Sequence, residues 1–102
     1  MTKEEFRKLT EQTLILDGAT GSNLMASGMP RGICTETWVI DHKDIIQDLQ
    51  RAYIKAGSQV IYAPTFGGNR LNLEKHGLAD RIEEINHTLV GYSKELTGNG
   101  VY

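Results

Sequence analysis

Two short segments of the sequence combine glycines with polar side chains that can hold a small charged ligand. They are residues 17–21 (DGATG) and residues 65–69 (TFGGN). A carboxylate such as that of Asp17 can pair with an ammonium group, and neighbouring glycines let backbone N–H groups approach a ligand carboxylate closely. Together these features predict a site for an amino acid.

Asp17 also has a purely structural interpretation. Its carboxylate would then cap the turn that begins near Ser22, and the glycines would only supply positive φ angles. The spacing of the residues leaves both interpretations open.

The elements around the two segments are those of a βαβ unit. Residues 14–16 (LIL) and 60–63 (VIYA) are apolar runs typical of buried strands, and residues 41–57 carry apolar side chains at helical spacing. The two strands should be parallel. Because ligands gather beyond the carboxyl ends of parallel strands, this topology brings the two glycine-containing segments to one edge.

The remaining elements complete an α/β prediction. A capping box of Thr2 and Glu5 starts a leading helix, and residues 70–75 and 79–96 predict two further helices. For residues 41–57, Asp41 is the predicted N-cap and Gly57 the C-cap. The predicted buried positions are Ile45, Ile46, Leu49, Ala52, Tyr53 and Ala56, followed by Ile82, Ile85 and Leu89. A third strand should begin at Val101, so we expect the chain to be truncated.

Composition excludes several classes of protein. Eleven Lys and Arg against thirteen Asp and Glu give a net charge of -2 without a basic stripe, so we expect no nucleic-acid partner. No apolar run approaches the roughly 18 residues of a membrane span. Cys34 is the single cysteine, which excludes an internal disulfide and favours a reducing compartment. We therefore expect a cytoplasmic protein without a membrane partner.

Three ordered blocks of sequence resemble the homocysteine S-methyltransferase family. They are residues 14–24 (LILDGATGSNL), 51–60 (RAYIKAGSQV) and 62–78 (YAPTFGGNRLNLEKHGL), and the likeness is greatest to the homocysteine-binding module of the cobalamin-dependent members. The resemblance implies a (β/α)8 TIM barrel. Residues 1–102 would be an incomplete homocysteine-binding domain, made of the leading helix, two strand-helix units and the start of a third strand.

The resemblance also implies the chemistry. In this family a methyl group is transferred to the zinc-activated thiolate of homocysteine, which gives methionine. By the same likeness Asp17 would hold the homocysteine ammonium, and Thr65 and Phe66 would line the pocket wall. The substrate carboxylate would be received by the backbone N–H groups of Gly18, Ala19 and Thr20.

The metal centre of the family has no counterpart in this sequence. Nothing matches the three zinc-binding cysteines, which lie in later strands of the barrel, and Cys34 stands in a long loop instead. Pro64 also replaces an Asn found in many relatives. We therefore expect no catalytic residue and no metal ligand here, and an inactive fragment. Zinc, methylcobalamin as the methyl donor, the rest of the barrel and the cobalamin and folate modules would belong to the complete enzyme.

Three alternatives remain at this point. Residues 18–21 could cradle phosphate in a nucleotide-binding module, although the G-x-G-x-x-G fingerprint is absent and Asp17 would repel pyrophosphate. An exposed strand edge could pair with another chain in a non-enzymatic interaction fragment. A zinc site built from the chain's own donors has unsuitable spacing; those donors are Cys34, His42, His76 and His87.

Overall fold

A computed structural model describes all 102 residues and shows a mostly helical chain. Its α-helices are α1 (Lys3–Leu9), α2 (Gly21–Ala26), α3 (Thr35–Asp41), α4 (Lys43–Ala56), α5 (Arg70–Glu74) and α6 (Ile82–Lys94), and a 3-10 turn at Ala79–Arg81 precedes α6. The predicted capping box of Thr2 and Glu5 is present at the start of α1. The sequence did not predict α3. No helix has the length and apolar character needed to cross a membrane.

The two predicted strands are reduced to an isolated parallel bridge between Leu16 and Val60. The Asp17 N–H donates to the Val60 carbonyl at 2.9 Å. On the other side of Val60, the Tyr102 N–H donates to the Gln59 carbonyl at 2.8 Å, and the Ile61 N–H donates to the Tyr102 carbonyl, also at 2.8 Å. The parallel direction is therefore as predicted, whereas the prediction of continuous strands over residues 14–16 and 60–63 is wrong.

Exposure of the apolar side chains explains why the strands do not extend. Ile15, Leu16 and Tyr62 are 53%, 45% and 63% exposed. Parallel strands are stable when both of their faces are covered. Pairing is thus retained only around Val60, where the chain has a neighbour on each side.

The N-cap of the long helix α4 lies one residue later than predicted. Asp41 ends α3 instead of capping α4, and His42 occupies the N-cap position without a side-chain cap bond. At the other end, Gly57 adopts the left-handed conformation with φ 116°, which confirms the predicted C-cap.

The buried face of α4 is more polar than the sequence predicted. Ile46 is buried as expected, but Ala52 and Ala56 are exposed, and Gln47 and Gln50 are buried in their place. Both glutamines make hydrogen bonds to groups on or near α6. These hydrogen bonds offset the cost of burying the side-chain amides. The Gln50 amide donates to the Tyr62 carbonyl and to Ser93 Oγ, each at 3.0 Å.

The core lies between α3, α4 and α6 and extends to α2 and α5. Ile85 and Leu89 are completely buried on α6, as predicted, while Ile82 is partly buried against the same cluster. The largest fully buried side chains are Leu24, Ile46, Leu73, Ile85, Leu89 and Val39. Consequently, α2 and α5, which follow the two glycine-containing segments, are both anchored in one core.

Helix α4 also fixes the first glycine-containing segment. The Tyr53 hydroxyl donates to the Ala19 carbonyl at 2.8 Å, and the Asn23 amide donates to the same oxygen at 2.8 Å. The Tyr53 ring lies against Gly18, where a Cβ would be 3.0 Å from the hydroxyl oxygen. Because the φ of Gly18 is not positive, glycine serves here to admit the Tyr53 ring.

Replacing Gly18 with alanine should therefore destabilise the chain. We expect Gly18→Ala to lower the free energy of unfolding by about 1–3 kcal/mol, the usual cost of overpacking. The matched control is Gly91→Ala at an exposed position of α6, where no neighbouring group lies within 4 Å of the added methyl and stability should rise by up to about 1 kcal/mol. Urea unfolding measures the free energy of unfolding of both variants. Equal shifts in the same direction would contradict the close contact between Gly18 and the Tyr53 ring.

The pairing of α4 with α6 should weaken in acid. The Gln47 amide donates to Glu95 at 2.7 Å, and the Lys43 ammonium lies 3.0 Å from the same carboxylate. These contacts lower the pKa of Glu95 from its ordinary value of 4.5. The unfolded chain thus binds this proton more readily, so the stabilisation is complete above pH 4.5 and is lost as pH falls through the lower folded pKa.

Glu95→Gln should accordingly make stability less dependent on pH on the acid side. The measurement is the urea midpoint between pH 7 and pH 3, compared with wild type. Glu83→Gln, which removes an exposed carboxylate with no ion-pair partner, serves as the control and should keep the wild-type slope. An unchanged slope in Glu95→Gln would show that this contact is absent in solution.

Candidate functional site

A cleft of about 750 Å³ lies beside the ends of the two bridged segments. Three predicted site residues line it, namely Thr20, Thr65 and Phe66. The other three, Asp17, Gly18 and Ala19, lie outside the lining. The structure thus brings part of the first segment and part of the second to one cleft. A further cleft of about 610 Å³, along α1, contains none of the predicted residues.

Asp17 joins the two segments. Its Oδ2 accepts a hydrogen bond from the Tyr62 N–H at 3.1 Å, and its half-buried carboxylate makes no bond to Ser22. Asp17 therefore does not cap the following turn. Tyr62 lines the cleft whereas Asp17 does not, and Asp17 Oδ1 is without a protein partner.

The backbone after Asp17 presents free hydrogen-bond donors. The N–H groups of Gly18, Ala19 and Thr20 donate to no acceptor in the protein, while the Ala19 carbonyl is occupied by the Tyr53 hydroxyl. Unpaired backbone N–H groups of this kind are able to donate to an anion. They follow directly on a carboxylate with a free oxygen, so opposite charges of a zwitterion would find partners next to each other.

The second segment is a tight turn with an exposed aromatic side chain. The Gly68 N–H donates to the Thr65 carbonyl at 2.9 Å, and Phe66, inside this turn, is fully exposed. The Asn72 amide donates to the Gly67 carbonyl at 2.7 Å. The turn is therefore held firmly while its aromatic ring remains available to a ligand.

The cleft also contains Glu36 and His76, which the sequence did not assign to a site. Glu36, on α3, is 3% exposed and lines the cleft, as does His76. Acidic residues in the first turn of a helix are common on solvent-exposed faces, so nothing in the sequence marked Glu36 as buried. The burial of Glu36 results from the packing of α3 against the second segment, and the sequence did not predict α3.

The donor set of the chain does not fit a zinc ion. No three His, Cys, Asp or Glu side chains lie close enough together to hold a metal. Cys34 is buried, and its thiol lies 4.0 Å from Glu36. His42 stacks on Trp38 with ring centroids 3.8 Å apart.

The sequence as a whole is similar to those of known proteins. Residues 14–100 match the family model described as homocysteine S-methyltransferase. The chain is 31% identical over 83 residues to the methionine synthase of Mycobacterium tuberculosis, covering 76% of this chain and 7% of that protein. It is 28% identical over 90 residues to the S-methylmethionine–homocysteine S-methyltransferase of Pongo abelii, covering 87% of this chain and 23% of that protein.

The family match includes both glycine-containing segments and the helices that hold them. The chain spans less than a quarter of the length of either relative. The family is one of TIM barrels, and the parallel bridge agrees in direction with such a fold. On this match, the chain belongs to the homocysteine S-methyltransferase family.

Proposed function

We propose that the chain binds the amino-acid end of homocysteine with residues 17–20 and 65–66. The observation that carries this proposal is the run of three unpaired N–H groups directly after Asp17, whose Oδ1 is free. The N–H groups of Gly18, Ala19 and Thr20 would receive the substrate carboxylate. Asp17 would hold the ammonium through a charge-assisted hydrogen bond.

Thr65 and Phe66 would form the wall along which the substrate side chain lies. Phe66 is fully exposed at the turn, and Thr65 lines the same cleft as Thr20. An aromatic ring offers apolar surface to the methylene groups of homocysteine, and burial of that surface favours binding. Recognition at the ammonium and carboxylate would leave the thiol end to point away from the first segment.

The proposed reaction is transfer of a methyl group to the homocysteine sulfur, which gives methionine. Because the donors of this chain do not fit zinc, we assign it substrate binding alone and propose that it transfers no methyl group by itself. Zinc and the methyl donor, for which methylcobalamin is our candidate, would be held by residues outside these 102. The cytoplasm stays the proposed compartment, in keeping with a single cysteine.

We also propose that residues 1–102 form the first portion of a (β/α)8 barrel. Val60 pairs in parallel with Leu16 and has Tyr102 on its other side, so the chain orders three segments as neighbouring barrel strands are ordered. The exposed apolar side chains of Ile15 and Tyr62 would then be covered by further barrel elements, which are the proposed partners together with the cobalamin and folate modules.

Asp17→Asn tests the proposed binding of homocysteine. Removing the charge should weaken binding by about 1.5–3 kcal/mol, or about 10- to 150-fold in the dissociation constant. Calorimetric titration of the 102-residue chain measures this. The control is Asp48→Asn, which changes an exposed acid on α4 and should leave the homocysteine affinity unchanged. The desamino analogue of homocysteine, which lacks the ammonium group, should bind both variants with the same affinity as the wild-type chain.

An unchanged homocysteine affinity in Asp17→Asn would refute the assignment. Titration with a dinucleotide distinguishes homocysteine binding from the phosphate-binding alternative. If the segment binds phosphate, Asp17→Asn should strengthen dinucleotide binding, because it removes a repulsive charge.

A further inference from the structure

Glu36 is a buried carboxylate that the proposed substrate contacts do not use. It lies in the first turn of α3, is 3% exposed, and takes part in none of the three ion pairs of the chain. Its only side-chain partner is the Cys34 thiol, 4.0 Å from Oε2. Oε1 makes no hydrogen bond but is not an orphaned buried atom, and Glu36 lines the cleft, so the carboxylate has a role open to it other than ligand binding.

The carboxylate of Glu36 lies directly against Gly67. A Cβ built on Gly67 would collide with Glu36 Oε1, and it would lie 2.7 Å from the Asn72 amide nitrogen. The φ of Gly67 is not positive, so an alanine could adopt this backbone conformation. Glycine at this position leaves space for the ends of the Glu36 and Asn72 side chains, so its role here is steric and not conformational.

This contact acts on the turn that carries Thr65 and Phe66. Gly67 follows Phe66 within the turn closed by the Gly68 N–H and the Thr65 carbonyl. Asn72 and Asn86 hold the turn from α5 and α6 by donating to the carbonyls of residues 67 and 68, each at 2.7 Å. Glu36 reaches it from α3, so the distance between the turn and α3 depends on the length of this side chain.

We propose that Glu36 is a positioning residue for the Thr65–Phe66 wall of the site. Its carboxylate is a spacer between α3 and Gly67, and this spacer sets where the Thr65 hydroxyl and the Phe66 ring meet the ligand. The consequence for homocysteine rests on the function proposed above. The positioning itself is a property of the ligand-free chain and is tested without any ligand.

A reciprocal exchange of one carbon tests the spacer. Glu36→Asp shortens the side chain by one methylene and should leave a gap under the turn, whereas Gly67→Ala adds one carbon and should push the turn away. The double variant Glu36→Asp with Gly67→Ala nearly conserves the volume between α3 and the turn. Residues in contact show this kind of coupling in double-mutant cycles.

The first measurement is the amide spectrum of the ligand-free protein by nuclear magnetic resonance. Each single variant should shift the Thr65 and Phe66 resonances and speed hydrogen exchange of the Gly68 N–H, and the double variant should return both toward wild type. The second measurement is homocysteine affinity, which should fall about tenfold in Gly67→Ala and recover to within about threefold in the double variant. Glu83→Asp and Gly91→Ala, both remote from the turn, are the controls and should change neither readout.

Absence of restoration in the double variant would overturn the proposal. Restoration of Gly67→Ala by Asn72→Ser instead of Glu36→Asp would also overturn it, because Asn72 would then set the spacing. If Gly67→Ala does not fold, Glu36→Asp alone decides, since unchanged Thr65 and Phe66 resonances would exclude a spacer. Restored resonances without homocysteine binding in any variant would instead count against the proposed function.

Discussion

Close packing of helix side chains against glycine backbone determines the geometry of both candidate binding segments. At three glycines of these segments the φ angle is not positive, and a Cβ would meet a side chain from a following or neighbouring helix. The pairs are Gly18 with Tyr53, Gly67 with Glu36 and Asn72, and Gly68 with Asn86. Because those helices share one core, the two segments are held relative to each other even though little sheet connects them.

The same packing leaves a particular set of polar groups free for a ligand. The Ala19 carbonyl accepts hydrogen bonds from Tyr53 and Asn23. The N–H groups of residues 18–20 make no hydrogen bond within the protein. One oxygen of Asp17 is fixed by the N–H of Tyr62, which precedes the second segment, and the other oxygen is free. Free donors next to a free acceptor are complementary to a zwitterion, which is the part that all amino-acid substrates share.

The sequence was sufficient where local signals decide the structure, and insufficient where tertiary contacts decide it. Helical periodicity and a glycine C-cap predicted most of α4 and its end at Gly57, because both depend on residues close in the chain. The burial of Gln50 depends instead on acceptors at Tyr62 and Ser93, and that of Glu36 on the space at Gly67. The prediction of continuous strands was wrong for the same reason, because parallel strands are stable only when other elements cover both of their faces.

The most direct test of the account is to locate homocysteine on the chain. Titration of isotope-labelled protein, followed through its backbone amide resonances, should shift Gly18, Ala19 and Thr20 as their N–H groups acquire an acceptor, together with Thr65 and Phe66. Resonances of α1 should stay in place. Shifts confined to the cleft along α1, or saturable binding without any change at residues 18–20, would contradict recognition of the amino-acid end by the first segment.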